Sequence, residues 1–186
     1  MIKILNASKK NFDSYFDQFL LNRKSKIRLN SGLIEKIIKD VKKNGDKSVL
    51  RYEKKFSGNS NIILDSKEIT KKISLLDNNV RKSIDIAFNR IFKFHSKQKI
   101  KNIYYKDKLK NRLSYKYLPI ESVGIYVPGG TASYPSTVLM NAIPAYVAGV
   151  NQIIMVSPAN LQGDLNQTVL AAAHITGINK VFRIGG

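Results

Sequence analysis

Ser122-Val123-Gly124-Ile125-Tyr126-Val127-Pro128-Gly129-Gly130 is an apolar run that ends on a proline and two glycines. Two similar passages follow. Residues 152–156 are continuous and β-branched, as expected of a buried parallel strand, and Val181-Phe182-Arg183-Ile184 closes on Gly185-Gly186. Between the first and second, residues 134–148 place Val138, Leu139, Ala142, Ala145 and Val147 as largely buried positions of a helix that stops at Gly149. Between the second and third, Asp164 is placed to cap a helix through Ala171, Ala172, Ala173 and Ile175 that stops at Gly177. The order β-α-β-α-β requires parallel strands with right-handed crossovers. The fold class is α/β.

Upstream the texture is helical and basic. A short amphipathic piece carries Phe12, Tyr15, Phe16, Phe19 and Leu20. Leu33, Ile34, Ile37, Ile38 and Val41 form one face of a helix ending at Asn44-Gly45. Asp46 then caps a second helix with Val49, Leu50 and Phe56 facing inward. Ile62-Ile63-Leu64 is a short strand, and Asp65 or Ser66 caps a brief helical turn. Residues 79–97 make the longest helix, with Val80, Ile84, Ala87, Phe88, Ile91 and His95 on one stripe. Residues 103–105 and 112–117 read as a β-hairpin. The chain divides into an arm (1–25), a mostly helical first α/β part (26–121) and a second α/β part (122–186).

All of the +19 net charge lies in residues 1–118, because residues 119–186 hold two basic and two acidic side chains. Such asymmetry can mark a nucleic-acid surface. Here the basic residues are spread along helical faces rather than gathered with interleaved aromatics, so nucleic acid is not the expected partner. A stand-alone basic α/β module binding nucleic acid or phosphate is kept as the alternative reading. No apolar run reaches the roughly 18–20 residues of a membrane span, and no membrane role is expected. The absence of cysteine excludes disulfides and thiolate metal sites and fits a cytoplasmic enzyme.

In open parallel sheets ligands bind at the carboxyl ends of strands. That singles out the loop from Tyr126 through Pro128, Gly129 and Gly130 to Ser133, and the loop Ser157-Pro158-Ala159-Asn160. A third loop would follow Gly185-Gly186. A strand finishing on two glycines at a binding cleft is an odd place for a domain to end, although a terminal strand with a frayed tail would read the same way. An unfinished sheet would leave an apolar edge at residues 181–184, prone to aggregate. The pattern from Gly124 to Thr131 resembles a phosphate loop, but Gly130 stands where its lysine must be, which excludes a P-loop NTPase. The dinucleotide fingerprint G-x-G-x-x-G is absent as well. A packing turn between strand and helix explains the glycines equally well.

The run from Ser122 through Tyr126-Val127-Pro128-Gly129-Gly130-Thr131-Ala132-Ser133-Tyr134-Pro135 to Asn141-Ala142-Ile143-Pro144-Ala145 resembles the signature stretch of the histidinol dehydrogenase family. Ile154-Met155-Val156-Ser157-Pro158, Arg183-Ile184-Gly185-Gly186 and, more loosely, Asn44-Gly45-Asp46 with Tyr52 and Phe56 are similar too. The resemblance implies an oxidoreductase of histidine biosynthesis that converts L-histidinol to L-histidine through histidinal, with two NAD and a bound zinc. It implies a homodimer and Rossmann-like, aldehyde-dehydrogenase-like α/β domains, of which residues 122–186 are the NAD side, incomplete here. By resemblance Tyr126 contacts NAD, and Pro128, Gly129 and Gly130 border the same cleft. The family's zinc ligands and catalytic glutamate–histidine pair fall outside this chain, so no catalytic or metal residue is expected within it. The chain reads as the inactive front part of a longer enzyme. His95 and His174 are its only histidines, and neither has the neighbours a zinc site or proton relay needs.

Overall fold

In the computed structural model, residues 7–8, 10–28, 31–129, 133–160 and 162–185 are described. They fall into two compact units, Met1–Arg51 and Tyr52–Gly186. No helix among the described residues is long and apolar enough to cross a membrane.

The first unit is helical. It contains α1 (Phe12–Arg28), α2 (Ser31–Asn44) and the start of α3 (Asp46–Ser57). Rings four residues apart meet on one face of a helix, and Phe12 and Phe16 accordingly stack at 5.5 Å. Gly45 ends α2 with φ +58, in the left-handed region that glycine adopts without a Cβ penalty, and its N–H donates to the Val41 carbonyl at 2.8 Å. The Gly45 carbonyl in turn accepts from Ser48 and Val49. Gly45 therefore holds the cap position of α3, and Asp46 sits in its first turn, where a carboxylate suits the helix dipole. The apolar face read on α2 is present, yet Leu33, Ile34 and Ile38 are largely exposed.

The inward face expected for α3 is corrected. Leu50 and Phe56 are exposed, while the buried positions are the polar Ser48 and Glu53. The cause at Glu53 is a backbone partner outside the helix, which an apolar periodicity cannot register.

The second unit is built on a four-stranded sheet. Parallel β4 (Ser122–Tyr126), β5 (Gln152–Ser157) and β6 (Lys180–Arg183) are joined by α6 (Pro135–Ala148) and α7 (Gln167–Ile175). The register pairs Tyr126 with Val156 and Met155 with Val181. β1 (Ile63–Leu64) lies antiparallel on the outer side of β6, giving the order β1-β6-β5-β4. Ile63 faces Phe182 and Leu64 faces Val181, and the Arg183 N–H donates to the Ile62 carbonyl at 2.7 Å. The open edge expected at residues 181–184 is thus overturned: a strand from upstream covers it, and Val181 and Leu64 are each 1% exposed.

α4 (Ser66–Ser74) and α5 (Asn78–Ser96) belong to the same layer, with α4 packed on α7 and α5 on both α6 and α7. Asp65 caps α4 by accepting from the Glu68 N–H at 2.7 Å, and Asp77 caps α5. Asn166, not Asp164, caps α7 through the Thr168 N–H at 2.9 Å. Asp164 instead lies in the preceding loop and pairs with Lys72 of α4. Both residue types cap helices well, so sequence alone did not separate them.

The core runs between sheet and helices through Ile125, Val127, Met155, Val138, Ile143 and Leu170. A hairpin of β2 (Ile103–Lys106) and β3 (Arg112–Tyr115) stands apart as its own two-stranded sheet, exposed on both faces. Asp107 closes its turn by accepting from the Asn111 backbone and side-chain nitrogens, each at 2.8 Å.

Candidate functional site

Side chains alternate sides along a strand, and at the end of β4 that alternation decides what is presented. Ile125 and Val127 point into the core, and Tyr126 between them is 57% exposed. The Val127 N–H still donates to the Val156 carbonyl at 2.9 Å, so pairing persists one step beyond the strand. Pro128 then removes a donor and stiffens the exit.

Gly129 follows, and its lack of a side chain is a packing requirement. An ideal Cβ there would lie 2.6 Å from Pro158 Cγ and 2.8 Å from the Pro158 carbonyl oxygen. Pro158 follows β5, and it also lies close to the residue after β6: a Cβ on Gly185 would lie 3.0–3.2 Å from the proline ring. The ends of all three parallel strands therefore converge on one proline. Gly185 also has φ +151, a backbone conformation that side chains rarely adopt.

The loop after β5 is ordered by Asn160. Its side-chain oxygen accepts from the N–H groups of Gln162 and Asp164, at 3.0 and 2.8 Å. A cleft of about 140 Å³ opens here, with Gly129, Ser157, Pro158, Asn160, Asp164 and Asn166 among its walls. Small-molecule pockets hold roughly 300–1,000 Å³, so this cleft is smaller than that range. Larger hollows lie elsewhere. One of about 360 Å³ sits between His95, Tyr117 and Pro144, and one of about 500 Å³ lies at the amino ends of β5 and β6. Neither lies at the strand ends where open parallel sheets take ligands.

Of the residues singled out in sequence, Tyr126, Pro128 and Gly129 come together at these strand ends, and Gly130 lies outside the described residues. Asn160 belonged to a loop already singled out, but its role in shaping that loop carries no local signature. His95 is half-buried with Nδ1 2.6 Å from the Gln98 side-chain oxygen, and His174 is exposed on α7. Among the described residues no group of three or more His, Cys, Asp or Glu side chains gathers. These residues do not fit a zinc ion.

An open, mostly parallel sheet flanked by helices, with turns of glycine and proline at its carboxyl edge, defines a protein of the α/β class. The family model for histidinol dehydrogenase matches residues 21–186. A histidinol dehydrogenase from Pelagibacter ubique is 58% identical over the whole chain, which spans 43% of that protein. Another from Prochlorococcus marinus is 48% identical over 83% of this chain and 36% of its own length. The crystal structure of histidinol dehydrogenase from Elizabethkingia anophelis superposes with a TM-score of 0.79 at 33% identity, covering 84% of this chain and 37% of that one. The chain belongs to the histidinol dehydrogenase family. It spans less than half the length of these relatives.

Proposed function

We propose that this chain is the N-terminal, cofactor-side portion of an enzyme that oxidises L-histidinol to L-histidine through histidinal. The observation that carries the reading is the match to histidinol dehydrogenases along the whole chain; the strand-end cleft bordered by Pro128 and Gly129 supports it. Bound NAD would serve as the hydride acceptor. Tyr126 offers an exposed ring to pack on the cofactor and a hydroxyl to orient it. Pro128 and Gly129 border the approach, and the family resemblance alone adds Gly130 to them.

The same reading assigns residues 122–186 to the NAD-side domain of a Rossmann-like, aldehyde-dehydrogenase-like fold. It takes the working enzyme as a cytoplasmic homodimer whose zinc is held by residues beyond those of this chain. With no histidine–carboxylate relay among the described residues, the chain should not turn over alone. The test is NADH formation from L-histidinol and NAD. The isolated chain should give none, and the chain fused to the remaining portion of the Pelagibacter ubique relative should give it. NADH from the isolated chain would contradict the placement of the catalytic groups. An inactive fusion, beside an active intact relative, would contradict the function.

A further inference from the structure

Glu53 and Ser57 lie one turn apart on α3, so their side chains share a face. Both reach the same residue across the fold. Glu53 Oε2 accepts from the Gly185 N–H at 3.1 Å, and Ser57 Oγ donates to the Gly185 carbonyl at 2.9 Å. The glycine after β6 is thereby held by both of its backbone polar groups. Glu53 is 4% exposed, and its other oxygen, Oε1, is buried with no partner among the described residues. Burying a carboxylate costs free energy that a single N–H bond does not offset. Stability alone therefore does not explain a glutamate there.

The held residue is the one at which the Pro158 ring leaves little room for a Cβ, and Pro158 also fills the space beside Gly129. We propose that Glu53 and Ser57 form a backbone clamp on Gly185 that, through Pro158, sets the position of Gly129 and so of the cleft edge. Glu53 is a positioning residue, and its bearing on NAD rests on the function proposed above.

The test compares the 186-residue chain with Glu53→Ala, Glu53→Gln and Ser57→Ala, reading amide exchange and chemical shifts by NMR together with NAD titrations. In Glu53→Ala the Gly185 amide should exchange about tenfold faster, the usual scale for losing a hydrogen bond to a charged acceptor. The Gly129 amide should shift although it does not touch Glu53, and NAD should bind several-fold more weakly. Glu53→Gln keeps an acceptor and should restore most of each effect. Should Glu53→Ala fail to fold, Ser57→Ala, which removes only the hydroxyl donor, should still shift both glycine amides. An unchanged Gly185 amide, or a changed one with Gly129 unmoved, overturns the clamp. Where the unaltered chain binds NAD, equal binding by Glu53→Ala overturns the clamp's bearing on the cleft. If the unaltered chain binds no NAD, the cofactor reading of the cleft fails, while the two glycine amides still decide whether the clamp exists.

Discussion

Pro158 occupies the space in which a side chain on Gly129 would begin, 2.6 Å from an ideal Cβ to the ring's Cγ. One obstacle is flexible only within a proline ring and the other, the Pro158 carbonyl, is backbone, so neither yields cheaply. Gly129→Ala should destabilise the second unit by about 1–3 kcal/mol, the usual cost of overpacking a tight site. Denaturant unfolding of the purified chain measures it; an unchanged midpoint would show that the strand-end turns have slack.

Arg183 and Glu68 make an ion pair of unequal partners. The Arg183 side chain is 5% exposed and that of Glu68 34%, and Arg183 also donates to the Asn61 carbonyl at 3.3 Å. Removing the carboxylate strands a buried guanidinium, whereas removing the arginine leaves a carboxylate that water can reach. Glu68→Ala should therefore cost about 1–3 kcal/mol and Arg183→Met clearly less. Equal costs, or the reverse order, in paired unfolding curves would contradict the asymmetry.

Leu64 is the buried residue of a two-residue strand, 1% exposed opposite Val181. Its truncation removes core volume and loosens the strand that shields β6. Leu64→Ala should cost about 2–5 kcal/mol and increase binding of a hydrophobic dye. A cost below 1 kcal/mol, by the same principle of cavity formation, would mean that β1 is not docked in solution.

Asp107 gives the hairpin a pH dependence. The Asn111 side chain above all, with smaller help from the Asn111 and Leu109 backbone N–H groups and against a partial loss of hydration, holds its carboxyl below the usual value. A carboxylate with a depressed folded-state pKa contributes stability that is present above its unfolded value and lost as pH falls through the folded one. The Asn111 amide should thus be protected from exchange at neutral pH and lose that protection on acidification below the ordinary aspartate range. Asp107→Asn should flatten the dependence; a wild-type-like titration in that variant would assign it to another group.

Much of this was legible in sequence because the signals are local. Gly149 and Gly177 mark helix ends, the β-branched run at residues 152–156 marks a buried strand, and the passage from Tyr126 to Ala145 marks the family. What escaped depends on partners far along the chain. The pairing of residues 63–64 with 181–182 joins segments separated by most of the second unit, and nothing in Val181-Phe182 announces that its edge is filled. Glu53 interrupts the expected inward face of α3 because its partner is the backbone of Gly185, and a backbone amide has no hydropathy. Asn166 displaced Asp164 as the cap of α7 because Lys72 and Asn160 hold Asp164 in the loop.

The most direct measurement is an NMR titration of the 186-residue chain with NAD, run in parallel on Tyr126→Phe. A cofactor cleft at the strand ends predicts shifts confined to Tyr126, Gly129, Ser157 and Asn160, weak in affinity and weaker still by several-fold in the variant. Absence of shifts at these residues, or shifts centred instead on Gly149 and Gln152 at the opposite end of the sheet, would contradict it.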